Sequence, residues 1–366
     1  MTKIDDYFLK FTEDLSYIEL KDSKEDYRKL GLDQVSLPIV TDDMMTNILN
    51  QDFSNQVDLD YIVEGMLVNI GADPDFKYSL DYFHILKKLM GKPADYAVNK
   101  GLGKLEKNPD QAILFFRAAY ILDPKNIYAA YNYARLLWRV DLEEKEDFVK
   151  EAIGILEDII EDDEKFPMSY YELGIINQAT GNYMKSLNFY NRTLRLVDRT
   201  ELKEEIRESI NQVEPSALVE DAIYYINKMD YSRAIERLVE AGKNNSGYDI
   251  DYYLAISYMN LGYLDMAERH MDDALKKGAD FSTLYIDQIY IKYSLGKIEE
   301  ALVIASEALD KYPADIKIRY NRAMIYIELN QIQKANEDFD FILEYQDLSD
   351  ELFNQIMIIK ENINKN

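Results

Sequence analysis

Apolar residues along much of this chain recur at intervals of three and four, the period of a helix with one buried face. The stretch 247–280, GYDIDYYLAISYMNLGYLDMAERHMDDALKKGAD, shows it clearly: Gly262 interrupts the rhythm, and a second helical run follows to Leu275. The pattern predicts two antiparallel helices joined by a short turn. Small residues at Ala255, Ala267 and Ala274 let the helices approach, and larger ones such as Tyr258 and Met271 fill the space between them.

The unit recurs. Ala267, Ala301 and Ala335 are spaced by 34 residues, and seven positions beyond each stand Ala274, Ala308 and Ile342, each followed by leucine. Five positions before each alanine is a turn residue, Gly262, Gly296 or Asn330. Ala152 and Ser186 repeat the spacing of 34, with Gly181 five before the serine, and Ala112 and Ala234 are equivalent, with Asn108 and Met229 near their turns. Repeats are expected at 93–126, 127–166, 167–200, 215–247, 248–281, 282–315 and 316–347, so 93–200 forms an N-terminal group and 215–347 a C-terminal group. An acidic insertion around Asp141–Asp147 interrupts the second repeat, and 57–92 reads as a further, degenerate helix pair. A single pair cannot bury its apolar faces alone and must stack on its neighbours.

Three segments lie outside the period. Residues 201–214 read as a charged amphipathic helix ending before Pro215 and joining the two groups. Residues 348–366 read as a helix capping the exposed end, with Phe353, Ile356 and Ile359 on one face. Residues 1–56 carry amphipathic stretches near 4–20 and 42–50 around a polar middle with Pro38, a helical or partly disordered segment.

The chain has 366 residues, 68 acidic against 42 basic, and a formal net charge of −26. Such a surface repels phosphate and anionic membranes, so neither nucleic acid nor membrane insertion is expected. With no cysteine, Cys-ligated metals, disulfides and thiol nucleophiles are excluded, which fits a cytoplasmic location. The first residues are acidic and lack the apolar core of a signal peptide.

Candidate chemistry is sparse. The two histidines, His84 and His270, lie far apart inside repeat helices and read as structural. The glycines of Gly101–Gly103 follow no strand, as a dinucleotide site would require. The acidic run 155–165 has no central glycine for a calcium loop and reads as a solvated helix end. No enzyme, cofactor or metal is expected.

The 34-residue unit resembles the tetratricopeptide repeat, whose signature runs W-x2-L-G-x2-Y, A-x3-F, P. In SYYELGIINQATGNYMKSLNFYNRTL, Tyr170 replaces the tryptophan, Leu173 and Gly174 are intact, and Ser186 with Tyr190 stands for A-x3-F. Ala112 with Phe116 and Pro124, Ala335 with Phe339, and Ala301 with Ala305 and Pro313 supply further matches. The resemblance implies an all-α, right-handed solenoid of about seven helix pairs. It also implies a concave groove lined by the first helix of each pair. Its groove-facing set would be Tyr131, Arg135, Tyr171, Gln178, Tyr252, Met259, Tyr290, Tyr293, Tyr320 and Met324. Tyrosine is unusually frequent, 30 of 366 residues, and combines large contact area with a hydrogen-bonding tip, while Met repacks around varied shapes.

In members of the family that clamp a C-terminal carboxylate, lysines stand where this chain has Tyr131, Tyr171 and Tyr320, so that clamp is absent despite Asn132 and Asn321. The expected function is a non-enzymatic interaction scaffold binding a peptide or protein segment, one carrying aromatic or basic side chains. A peptide-responsive regulatory receptor of the bacterial quorum-sensing type and a structural assembly factor are the alternatives. The Lys/Ile/Tyr-rich composition is associated with bacterial genomes.

Overall fold

The computed structural model describes residues 2–20, 25–41, 59–243, 245–345 and 347–363. Among them are nineteen α-helices, divided between two compact units, 1–210 and 211–366.

In the first unit, α1 (Lys3–Leu9) opens with a capping box in which Thr2 and Asp5 satisfy each other's backbone amides. A 3₁₀ turn leads to β1 (Leu15–Ile18), which pairs antiparallel with β2 (Leu37–Val40) so that Leu15 faces Val40 and Ile18 faces Leu37. Between them lies α2 (Glu25–Leu30). This two-stranded pair is a small addition to a chain whose described elements are otherwise helical, as the repeat pattern implies. All four β2 residues are buried, so the stretch behaves as core despite Pro38, which a two-stranded edge tolerates. The expected amphipathic stretch at 42–50 lies outside the described residues.

Helix α3 (Leu59–Ala72) is buried on almost every side. It packs chiefly on β2 and on α6 (Pro109–Leu122), and glycines permit both approaches: a Cβ on Gly65 would stand 2.0 Å from the Pro38 carbonyl oxygen, and one on Gly71 2.3 Å from that of Leu114. The buried Arg117 of α6 ties the region together. Its guanidinium donates to the Gly71 carbonyl at 2.7 Å and to Asp5 at 2.6 Å and lies over the Phe8 ring. After α4 (Ser79–Met90) come α5 (Pro93–Lys104) paired with α6, α7 (Ile127–Leu137) with α8 (Glu146–Asp162), and α9 (Pro167–Ala179) with α10 (Tyr183–Leu196). Pro93, Pro109 and Pro167 sit in first turns, where a missing N–H costs nothing.

Helix α11 (Thr200–Asn227) continues past Pro215, which corrects the expected stop there. One lost hydrogen bond is offset by the burial of Val213, Pro215, Ala217, Val219 and Ala222 around it.

In the second unit, α12 (Tyr231–Ala241) follows the end of α11. Then come α13 (Tyr248–Asn260) with α14 (Leu264–Lys276), α15 (Ser282–Ser294) with α16 (Ile298–Lys311), and α17 (Ile316–Glu328) with α18 (Ile332–Leu343). Ala234, Ala267, Ala301 and Ala335 are all fully buried where the helices cross. The turn residues Met229, Gly262, Gly296 and Asn330, and Gly181 in the first unit, share a left-handed backbone with φ between 57° and 79°. Helix α19 (Asp350–Ile363) buries Ile356 on Ala323, Ala335, Phe339 and Ile342, with Leu352, Ile359 and Ile363 beside it. Phe353 does not join that face: it is exposed, because the buried face follows 352, 356, 359 and 363.

No helix among the described residues is long and apolar enough to cross a membrane.

Candidate interaction face

Three positions of each first helix, spaced i, i+4, i+7, fall on one side of the helix. In α13 they are Tyr252, Ile256 and Met259; in α15, Ile286, Tyr290 and Tyr293; in α17, Tyr320, Met324 and Ile327. The three triplets are offset by 34 residues, and all nine side chains are apolar or aromatic. None is fully buried. Tyr290 is 55% exposed, Tyr293 40% and Met324 38%. The second helices behave differently. In the second unit their exposed large apolar residues, Val239, Val303 and Phe341, fall one to a helix and at different places in the repeat.

The residues expected from sequence divide into three groups. Tyr290, Tyr293 and Met324 are open, and Met259 is half-buried beside them. Tyr171, Gln178, Tyr252 and Tyr320 are half-buried and already bonded. The Tyr171 hydroxyl donates to Glu205 at 2.6 Å, the Tyr252 hydroxyl donates to Asp287 at 2.9 Å, and the Tyr320 hydroxyl accepts from Gln355 Nε2 at 2.8 Å. Gln178 Oε1 accepts from the Tyr190 hydroxyl at 2.7 Å. Tyr131, in the first unit, is buried at 8% exposure against Phe166, and burial pushes its hydroxyl up to about 12. Arg135 of the same helix is half-buried. Sequence reasoning missed Ile256, Ile286 and Ile327; the 34-residue offset from Tyr290, Tyr252 and Tyr293 was the signal that marks them.

The bonds of Tyr171, Tyr252 and Tyr320 form a recurring rung. Each joins a first-helix tyrosine to an acceptor or donor 34 or 35 residues on, so each of these three bonds ties its repeat to the segment stacked after it. Trp138 makes a fourth rung to Glu172, donating from Nε1 at 2.7 Å.

Carboxylates set into the repeats are mostly neutralised. Glu172 pairs with Arg139 and Asp338 with Arg319 and Arg322. Asp251 meets Lys277 and, at 2.8 Å, His270 Nδ1, whose ring stacks on Tyr258. Glu268 holds Lys292 and Lys297. Burial pushes the Glu268 carboxyl up, but the bonds from the two lysines outweigh it and hold it below the ordinary range.

No family model matches the chain. Among curated proteins it is similar to protein FlbA of Caulobacter vibrioides, 25% identical over 244 residues, which are 60% of this chain and 40% of that protein. It is also similar to a TPR repeat-containing protein of Methanocaldococcus jannaschii, 28% identical over 78 residues, 21% of this chain and 24% of that protein. The chain thus matches less than half the length of either relative. Among solved structures, Pseudomonas aeruginosa PilF aligns with 63% of this chain and 97% of its own, at a TM-score of 0.37 and 15% identity.

The 34-residue frame, the buried small residue at each crossing and the left-handed turn five positions before it define the class. The chain is built of tetratricopeptide-type helix pairs.

Proposed function

We propose that this chain is a non-enzymatic interaction scaffold, and that the open side of α13, α15 and α17 receives an apolar segment of a partner protein. One observation carries the reading: nine equivalent positions on three successive first helices are all apolar or aromatic, and three of them are well exposed. Stacked helical repeats use such extended faces to hold partners. Tyrosine and methionine suit the task, one as a rigid anchor with a polar tip and the other as an adaptable filler. A structural assembly factor would need a coherent apolar patch on the second helices, where Val239, Val303 and Phe341 are isolated.

The test is a comparison of partners captured from native cells by the wild-type chain and by a Tyr290→Ala/Tyr293→Ala double variant, quantified by mass spectrometry. Partners that depend on the two tyrosines are the expected result. Truncating a hot-spot anchor costs about 2 kcal/mol or more in binding, so their recovery should fall at least tenfold. Recovery unchanged by the double variant, with the fold intact by circular dichroism, places binding elsewhere.

A further inference from the structure

Asp287 breaks the pattern of the other inward-set carboxylates. Its described hydrogen bond comes from the Tyr252 hydroxyl at 2.9 Å, and no lysine, arginine or histidine is described within ion-pair distance. By contrast, Glu172, Asp251, Asp338 and Glu268 each meet at least one cationic side chain. Asp287 is half-buried on α15, one residue from Ile286 and one turn from Tyr290, so it borders the apolar side described above.

The rung does not need that charge. The equivalent rung two repeats further on joins Tyr320 to the neutral amide of Gln355, and in the first unit the acceptor, Glu205, is exposed to water. At Asp287 alone of the three, a carboxylate is withdrawn from water where an amide would serve the stacking bond. Burial pushes its carboxyl above the ordinary range, with the Tyr252 hydrogen bond opposing. An ionised group held this way lacks a counter-charge.

We propose that Asp287 is the specificity carboxylate of the apolar face, and that the partner is a protein segment whose apolar side chains cover Tyr290, Tyr293 and Met324 while one lysine or arginine meets Asp287. The inference rests on the reading of that face as the binding surface. Charge complementarity supports it: the chain carries −26, which draws in a basic segment, and a cation at Asp287 supplies the pairing that the fold leaves out.

The experiment is selection of a random 12-residue peptide library on the immobilised full chain, followed by anisotropy with the synthetic consensus peptide. Wild-type selections are expected to converge on large apolar residues with one basic position. The consensus peptide should lose about tenfold or more in affinity for Asp287→Asn, and a similar factor when its own basic residue becomes norleucine, without the two losses adding. Asn keeps an acceptor for Tyr252, and Tyr252→Phe is the companion variant: it removes the rung, keeps the carboxylate, and should retain the basic preference. A consensus without a basic position, equal binding to Asp287→Asn, or loss of the preference in Tyr252→Phe overturns the role of Asp287 and leaves the apolar reading standing. Peptides that bind Tyr290→Ala/Tyr293→Ala undiminished, or a selection that does not converge, overturn the reading of the face itself and the inference with it.

Discussion

The Tyr190 ring lies directly against the Cα of Gly174: a Cβ on that glycine would stand 2.6 Å from two ring carbons. One turn earlier on α10, the Ser186 hydroxyl donates to the Gly174 carbonyl at 2.8 Å. The crossing of α9 and α10 is therefore built from an absent side chain on one helix and a large one on the other. Gly101 and Phe116 repeat the relationship between α5 and α6, at 2.6 Å, which gives Gly101 a packing role.

Gly174→Ala is therefore expected to destabilise the first unit by about 1–3 kcal/mol through overpacking, although alanine is the better helix former by about 1 kcal/mol. Denaturant unfolding checks it. In a Tyr190→Leu background the same change should cost much less, and an equal cost would mean that the ring is not the obstacle.

Met229 has φ of 60° and is 77% exposed. A side chain in the left-handed region costs about 1–2 kcal/mol, and this one gains little contact in return. Met229→Gly should raise the stability of the second unit by about 0.5–1 kcal/mol after the entropy cost of glycine. A lower melting temperature would contradict this.

Glu268 makes a pH-dependent contribution. Its folded pKa lies below the ordinary value, so the folded state binds its proton less readily than the unfolded state. The stabilisation is present above the unfolded value, about 4.3, and is lost as pH falls through the depressed folded value. Glu268→Gln should cost about 1–3 kcal/mol near pH 7, since two lysines lose a charged partner. Unfolding at a series of pH values should show the gap between the two proteins closing in acid.

Asp287 has the opposite sign. Its raised folded pKa means that its contribution is greatest below the unfolded value, about 3.9, and declines as pH rises through the folded one. Asp287→Asn imitates the protonated form, so it should match wild type in acid and exceed it near neutrality, by about 0.5–1 kcal/mol. A variant less stable than wild type at pH 7 would show that the carboxylate supports the fold.

The repeat frame was legible because it rests on local chemistry. Five turn residues were placed by counting back from a small residue, and even Met229, a poor candidate by type, adopts the left-handed backbone. The hairpin was not legible. Leu15 and Val40 pair across a long separation, and Pro38 inside the second strand reads as a breaker. Helix α3 carries apolar residues all round because it is enclosed, so no face could be picked out. Phe353 was misplaced because neighbouring apolar residues offered two helical phases. At the candidate face, spacing identified which side the tyrosines share but not which were already occupied. Tyr131 is covered by Phe166, from the turn before α9, and Tyr252 reaches Asp287 in the next repeat. Both contacts depend on how consecutive pairs stack, and a single repeat does not contain that information.

The Tyr252–Asp287 bond belongs to two neighbouring repeats at once, which has a mechanical consequence. A cation arriving at Asp287 would share the carboxylate whose Oδ2 accepts from Tyr252, so the proposed occupancy would be linked to the joint between adjacent helix pairs. On the proposed reading, a partner bound there would alter the elasticity of that joint, and a force separating the two pairs would alter how firmly the partner is held.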